Sequence, residues 1–111
     1  MGSFAAGAVV LVPFPFWDLT QSKLRPAVLL AEAGRGDWIL CQVTSNPYSD
    51  ARAVELGPGD FRTGSLRLTS YARPGRLFTA SGALFVSQPG ALSSVALARV
   101  VDAVIALLRP T

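Results

Sequence analysis

The chain has 111 residues, 50% hydrophobic and 15% charged, with net charge +3, one cysteine and no histidine. These figures predict one folded domain over residues 1–111 and exclude disorder, an internal disulfide, a His/Cys zinc site and a Ser-His-Asp triad. No apolar run is long and uncharged enough to span a membrane, and the start MGSFAAG lacks the pattern of a signal peptide, so a cytoplasmic protein without membrane contact is expected.

Gly7 opens a first strand over about Ala8 to Phe14, rich in the β-branched and aromatic residues that suit a pleated surface. Pro13 and Pro15 stop its ladder, because proline has no N–H to donate. The loop that follows carries Phe16, Trp17, Asp18, Thr20, Gln21, Ser22, Lys23 and Arg25. A polar, cationic loop held between two buried strands is where a site is expected. The second strand covers about Pro26 to Glu32, and Ala33-Gly34-Arg35-Gly36-Asp37 joins it to a third as a hairpin. That third strand, Trp38 to Thr44, ends in the polar turn Thr44-Ser45-Asn46-Pro47, and a short strand near Ala53 to Leu56 follows.

Gly57-Pro58-Gly59 breaks the chain, with Asp60 placed to cap a brief helical turn. Ser65 to Thr79 reads as two short strands interrupted by Pro74-Gly75, and Leu84 to Ser87 as a further strand before a turn at Gln88-Pro89-Gly90. The chain closes with an amphipathic helix, about Ser94 to Leu108, capped by Ser93 or Ser94. Leu97, Val100, Val101, Val104, Leu107 and Leu108 recur on its apolar face, and the helix is expected to pack through Leu97, Val101, Val104 and Leu108. Short strands followed by one covering helix predict a mainly β fold, a small and strongly curved barrel.

Nine of the ten cations are arginine, and Phe61 to Val101 carries Arg62, Arg67, Arg73, Arg76 and Arg99 without an acid. Arginine matches phosphate oxygens and stays charged at any working pH; an ordinary solvated surface is the alternative. Arg25 precedes proline, so its backbone is extended at the mouth of the second strand. Counting back across the hairpin sets Thr44 near the level of Arg25 or Pro26. A guanidinium and a hydroxyl at neighbouring strand ends make a pocket for a phosphate or oxyanion; in the bland alternative Thr44 merely satisfies its turn. Without histidine, neither Thr44 nor Ser45 is an activated nucleophile. Trp38 and Cys41 read as core or interface.

The run Gly7 to Phe16, the segment Ser22-Lys23-Leu24-Arg25-Pro26-Ala27-Val28-Leu29-Leu30, and Val43-Thr44-Ser45 together resemble the PemK/MazF toxin family. Ser70 to Thr79 and the terminal helix fall where that family has its later strands and last helix. The resemblance implies an SH3-like barrel of the CcdB/PemK/MazF type and a homodimer. It also implies metal-independent, cofactor-free cleavage of single-stranded RNA through the 2′-hydroxyl, leaving a cyclic phosphate. Arg25 and Thr44 match the family's catalytic positions, with Ser45 beside them. Arg25 would stabilise charge and donate a proton rather than act as a base, since a guanidinium pKa lies above about 12.

For RNA contact, Phe16 and Trp17 are set to stack on unpaired bases, Arg73 and Arg76 to meet phosphates, and Thr20, Gln21 and Lys23 to add polar contacts. Packing is the alternative for the two aromatics. Where the family commonly has Gly-Asp the chain has Gly7-Ala8, and its first loop offers Asp18 in place of the family's glutamate or histidine. Asp18 is therefore the candidate base, against a loop-capping role. The resemblance further implies a small, acidic, partly disordered antitoxin, with DNA reached only through that antitoxin. Two competing readings remain, a CcdB-like gyrase poison and an inactive RNA-binding barrel. The first is disfavoured because the chain ends Leu107-Leu108-Arg109-Pro110-Thr111 without an aromatic, and the second by the presence of both Arg25 and Thr44.

Overall fold

The computed structural model describes residues 3–14 and 23–110. Seven strands and one helix follow one another: β1 (Ala8–Phe14), β2 (Lys23–Gly34), β3 (Asp37–Thr44), β4 (Val54–Leu56), β5 (Phe61–Gly64), β6 (Ser70–Ser81), β7 (Ser87–Leu92) and α1 (Ser94–Leu108). Every pairing is antiparallel, the sheet order is β4-β6-β3-β2-β1-β7-β5, and the sheet curls into a nearly closed barrel. β1, β3, β4 and α1 lie where the residue pattern puts them, and the β2–β3 hairpin turns through Arg35 and Gly36, both at positive φ. β2 is longer than its apolar run, because Lys23 to Pro26 pair with Phe14 to Leu11 on β1; contrary to expectation Pro13 does not stop this ladder but lies within it, opposite Leu24.

Several expectations are corrected. Pro74-Gly75 does not divide Ser65 to Thr79 into two strands: β6 runs unbroken from Ser70 to Ser81. Cys41 pairs with Leu77 and Val43 with Ala72, so three extra residues of β6 bulge away from β3, and Pro74 lies among them, where its missing N–H costs no ladder bond. Gln88-Pro89-Gly90 is likewise strand rather than turn. Val9 pairs with Gly90 and Leu11 with Ser87, which puts Gln88 and Pro89 in another bulge; the strand expected over Leu84 to Ser87 begins only at Ser87, since Gly82–Leu84 forms a 3-10 turn. The residues before Ser65 also hold more structure than expected. Asp60 ends a 3-10 turn, Pro58–Asp60, and its carboxylate reaches back to accept from the Gly57 N–H at 2.8 Å, after which β5 pairs with β7.

The central strands are buried on both faces. Val9, Val28, Cys41 and Val43 pack with Leu56, Ala72, Leu92 and the helix residues Ala96 and Val100; Val10, Val12, Ala27, Leu29 and Leu40 pack with Phe14 and Trp38 on the other side. The 15-residue helix starts where the Ser93 hydroxyl accepts from the Ala96 N–H at 3.1 Å, and it covers the first of these clusters. Its buried line is Ala96, Val100 and Val104; Leu108, expected inside, is 67% exposed. The seat is narrow because close approach to the sheet selects the small Ala96, and the last turn overhangs it. Arg99 ties the helix down, pairing with Asp60 and donating to the Glu55 carbonyl at 3.3 Å. Among the described residues no helix is long and apolar enough to cross a membrane.

Candidate functional site

The β2–β3 ladder ends at Ala27↔Gln42, although both strands continue. Pro26 has no N–H to extend it. β2 goes on along β1, setting Arg25 opposite Val12, and β3 goes on along β6, setting Thr44 opposite Tyr71. Arg25 and Thr44 each lie two residues beyond the last pair. Side chains alternate along a strand, so both belong to the sheet face of Ala27 and Gln42, on the two lips of a notch. Arg25 and Thr44 are half-buried, and Lys23 and Ser45 are exposed. Phe16, Trp17, Asp18, Thr20 and Gln21 lie outside the described residues.

The Thr44 hydroxyl accepts from the Asn46 N–H at 3.1 Å, so the bland expectation that Thr44 satisfies its turn is met. That contact uses a lone pair and leaves the hydroxyl proton available for donation. The Asn46 side-chain oxygen in turn accepts from the Tyr48 N–H at 2.9 Å. Tyr48 and Ser49 then adopt φ of 54° and 59°. A left-handed backbone costs a residue with a Cβ about 1–2 kcal/mol, which the surrounding contacts must offset.

Those contacts converge on Asp50. One carboxylate oxygen accepts from the Arg52 N–H at 2.9 Å and the other from Arg73 Nε at 3.1 Å. The backbone N–H of Arg52, then the Arg73 guanidinium, hold the Asp50 carboxyl below the usual carboxylate range. Arg73 is thus fixed by an acid, and its guanidinium carbon lies 5.4 Å from the centre of the Tyr48 ring. Its carbonyl accepts from Cys41 Sγ at 3.2 Å. Cys41 is fully buried, and burial pushes its thiol up from 9.0 to about 12, so it is an inert core residue. Arg76 is exposed.

The structure therefore brings Arg25 and Thr44 to one face and sets Arg73 close behind the Thr44 turn. Sequence reasoning missed Tyr48 and Asp50. The turn residues Asn46, Ser49 and Asp50 were visible, but the Asp50–Arg73 pair joins positions 23 apart and leaves no local signal.

No protein-family model and no curated protein matches the sequence. Solved structures do match. A MazE–MazF complex from Deinococcus radiodurans (Form-II) superposes with a TM-score of 0.77 at 21% identity, covering 97% of each chain. MazF (Form-I) from the same organism gives 0.74 at 22%, over 97% of this chain and 98% of the other. An endoribonuclease in complex with its cognate antitoxin, from a mycobacterial species, gives 0.72 at 16%, over 100% and 99%. At these identities the likeness is one of fold: the chain has the MazF fold along its length.

Proposed function

We propose that this chain is a sequence-specific endoribonuclease toxin of a toxin–antitoxin pair, cutting single-stranded RNA without a metal. The observation that carries the reading is the placement of Arg25 and Thr44 on one face where β2 and β3 part, in a fold shared with proteins named as endoribonucleases. Attack by a ribose 2′-hydroxyl on the adjacent phosphorus piles negative charge on the phosphate oxygens. A fixed guanidinium and a hydroxyl donor stabilise that charge, and holding the nucleotide bent toward in-line geometry supplies the rest. The 2′ O–P bond forms as the P–O5′ bond breaks, leaving a 2′,3′-cyclic phosphate and a 5′-hydroxyl; Arg25 donates a proton to the departing oxygen. Asp18 remains the candidate base.

The partners follow from the same reading. The active unit is a homodimer, and an acidic antitoxin segment competes with RNA for the cationic face that Arg25 presents with the arginines between Arg62 and Arg76. Primer extension on a long RNA treated with purified protein and excess EDTA tests the activity. Cuts at a recurring short sequence are expected; an uncut RNA would remove the reading, and cutting lost only in EDTA would remove its metal-free step. Light scattering at micromolar concentration is expected to give the dimer mass.

A further inference from the structure

Tyr48 is 62% exposed although its backbone is left-handed and its position is fixed from three sides. Asn46 holds its N–H, the Asp50 carboxylate anchors the turn after it, and Arg73 lies against its ring. Arg73 is itself tethered twice, through its Nε to Asp50 and through its carbonyl to Cys41. The fold thus spends a strained turn and an ion pair on holding an aromatic ring outside the core. A ring so held gains nothing for the core, whereas it is already ordered for a flat partner, so little freedom is lost on binding.

We propose that Tyr48 is a base-stacking residue, the platform on which an unpaired nucleobase beside the cleaved phosphate rests. The proposal builds on the endoribonuclease reading and adds a specificity element to it. Tyr48 follows Thr44 by four residues, a span of at most about 14 Å of chain. The ring therefore stays within reach of nucleotides adjoining a phosphate held at Thr44. Stacking is tolerant of base identity, so this platform sets how firmly a flanking nucleotide is held.

The test uses the full-length protein and a short synthetic RNA carrying its mapped cut site, intact or with one abasic residue at each position flanking the cut. With intact RNA, Tyr48→Ala and Tyr48→Leu should raise KM about 5- to 100-fold with kcat nearly unchanged, while Tyr48→Phe behaves as wild type. At one abasic position wild type and Tyr48→Ala should become equal, because the base that stacks is gone. An unchanged KM in Tyr48→Ala and Tyr48→Leu would overturn the proposal. So would a loss of the same size on every abasic RNA, which would mark a structural role. Wild-type protein that cuts no RNA would instead remove the endoribonuclease reading, and the platform with it.

Discussion

Gly64 and Gly90 face each other across β5 and β7, so close that a Cβ on Gly64 would stand 2.0 Å from the Pro89 carbonyl oxygen. A Cβ on Gly90 would stand 2.7 Å from the Thr63 carbonyl oxygen. Gly64 also has φ of 64°, so both space and backbone require glycine there. Gly64→Ala should lower unfolding free energy by more than about 2 kcal/mol in urea denaturation. Gly59→Ala, with open space around it, should stay within about 0.5 kcal/mol. Equal effects would mean that β5 does not pack on β7 as described.

Arg25→Ala should slow RNA cleavage about 10²- to 10³-fold or more, and Thr44→Ala should cost less, because a full charge outweighs one hydroxyl donor. Single-turnover cleavage of a labelled oligonucleotide reads both. An Arg25→Ala protein as active as wild type would remove Arg25 from the site.

Asp60 joins the two ends of the chain's second half. It accepts from Gly57 N–H, pairs with Arg99, and its carbonyl accepts from Ser93 N–H at 2.8 Å. Asp60→Ala should cost about 1–2 kcal/mol through the lost turn contact and the helix tether. Arg99→Ala, at a partly solvated pair, should cost under about 1 kcal/mol. Thermal midpoints should fall in that order.

The buried Cys41 thiol gives a pH dependence of definite sign. Its pKa rises from 9.0 unfolded to about 12 folded, so above pH 9 the unfolded chain loses its thiol proton first. The unfolded state then binds fewer protons, and stability falls with rising pH, by at most about 1.4 kcal/mol per unit between about 9 and about 12. Below pH 9 the contribution is complete. Comparing urea midpoints of wild type and Cys41→Ala across that range isolates it, since other titrating groups are common to both; parallel curves would contradict the burial.

The elements that sequence reasoning placed well are those whose apolar pattern serves one purpose. Ala8 to Phe14 and Ser94 to Leu108 emerged with the stated ends because glycine or serine starts each and proline lies beside each end. β6 and β7 were misread because Pro74 and Pro89 look like breaks. Each is tolerated in a bulge, whose position depends on the partner strand and not on local sequence. Arg25 and Thr44 were legible as near neighbours because the hairpin keeps the two strand ends close, although two bulges between Leu29 and Gly34 shift the register by two residues from a straight count. The Tyr48 turn was not, since its anchor, Arg73, arrives from a strand formed much later in the chain. Leu108 was assigned to the core because periodicity gives a face but not how far along the helix the sheet extends to cover it.

Burial of β1, β2 and β3 on both faces has a consequence for the chain while it is still being made. Strands of this kind lack the alternating polar residues that keep an unfolded segment soluble, and they match the composition of segments that stack into fibrils. In β1 and β2 the stretch is cut short. Ala8 to Val12 is stopped by Pro13, and Ala27 to Ala31 is bounded by Pro26 and Glu32, leaving windows of five residues where fibril-forming segments need about six or seven. Pro13, which lies within β1, and Pro26, which ends the β2–β3 ladder, therefore also act as gatekeepers against self-association, with Lys23 and Arg25 adding charge just ahead of β2's apolar window. Pro26, which ends the ladder beside the candidate site, thus also bounds the aggregation-prone window of β2.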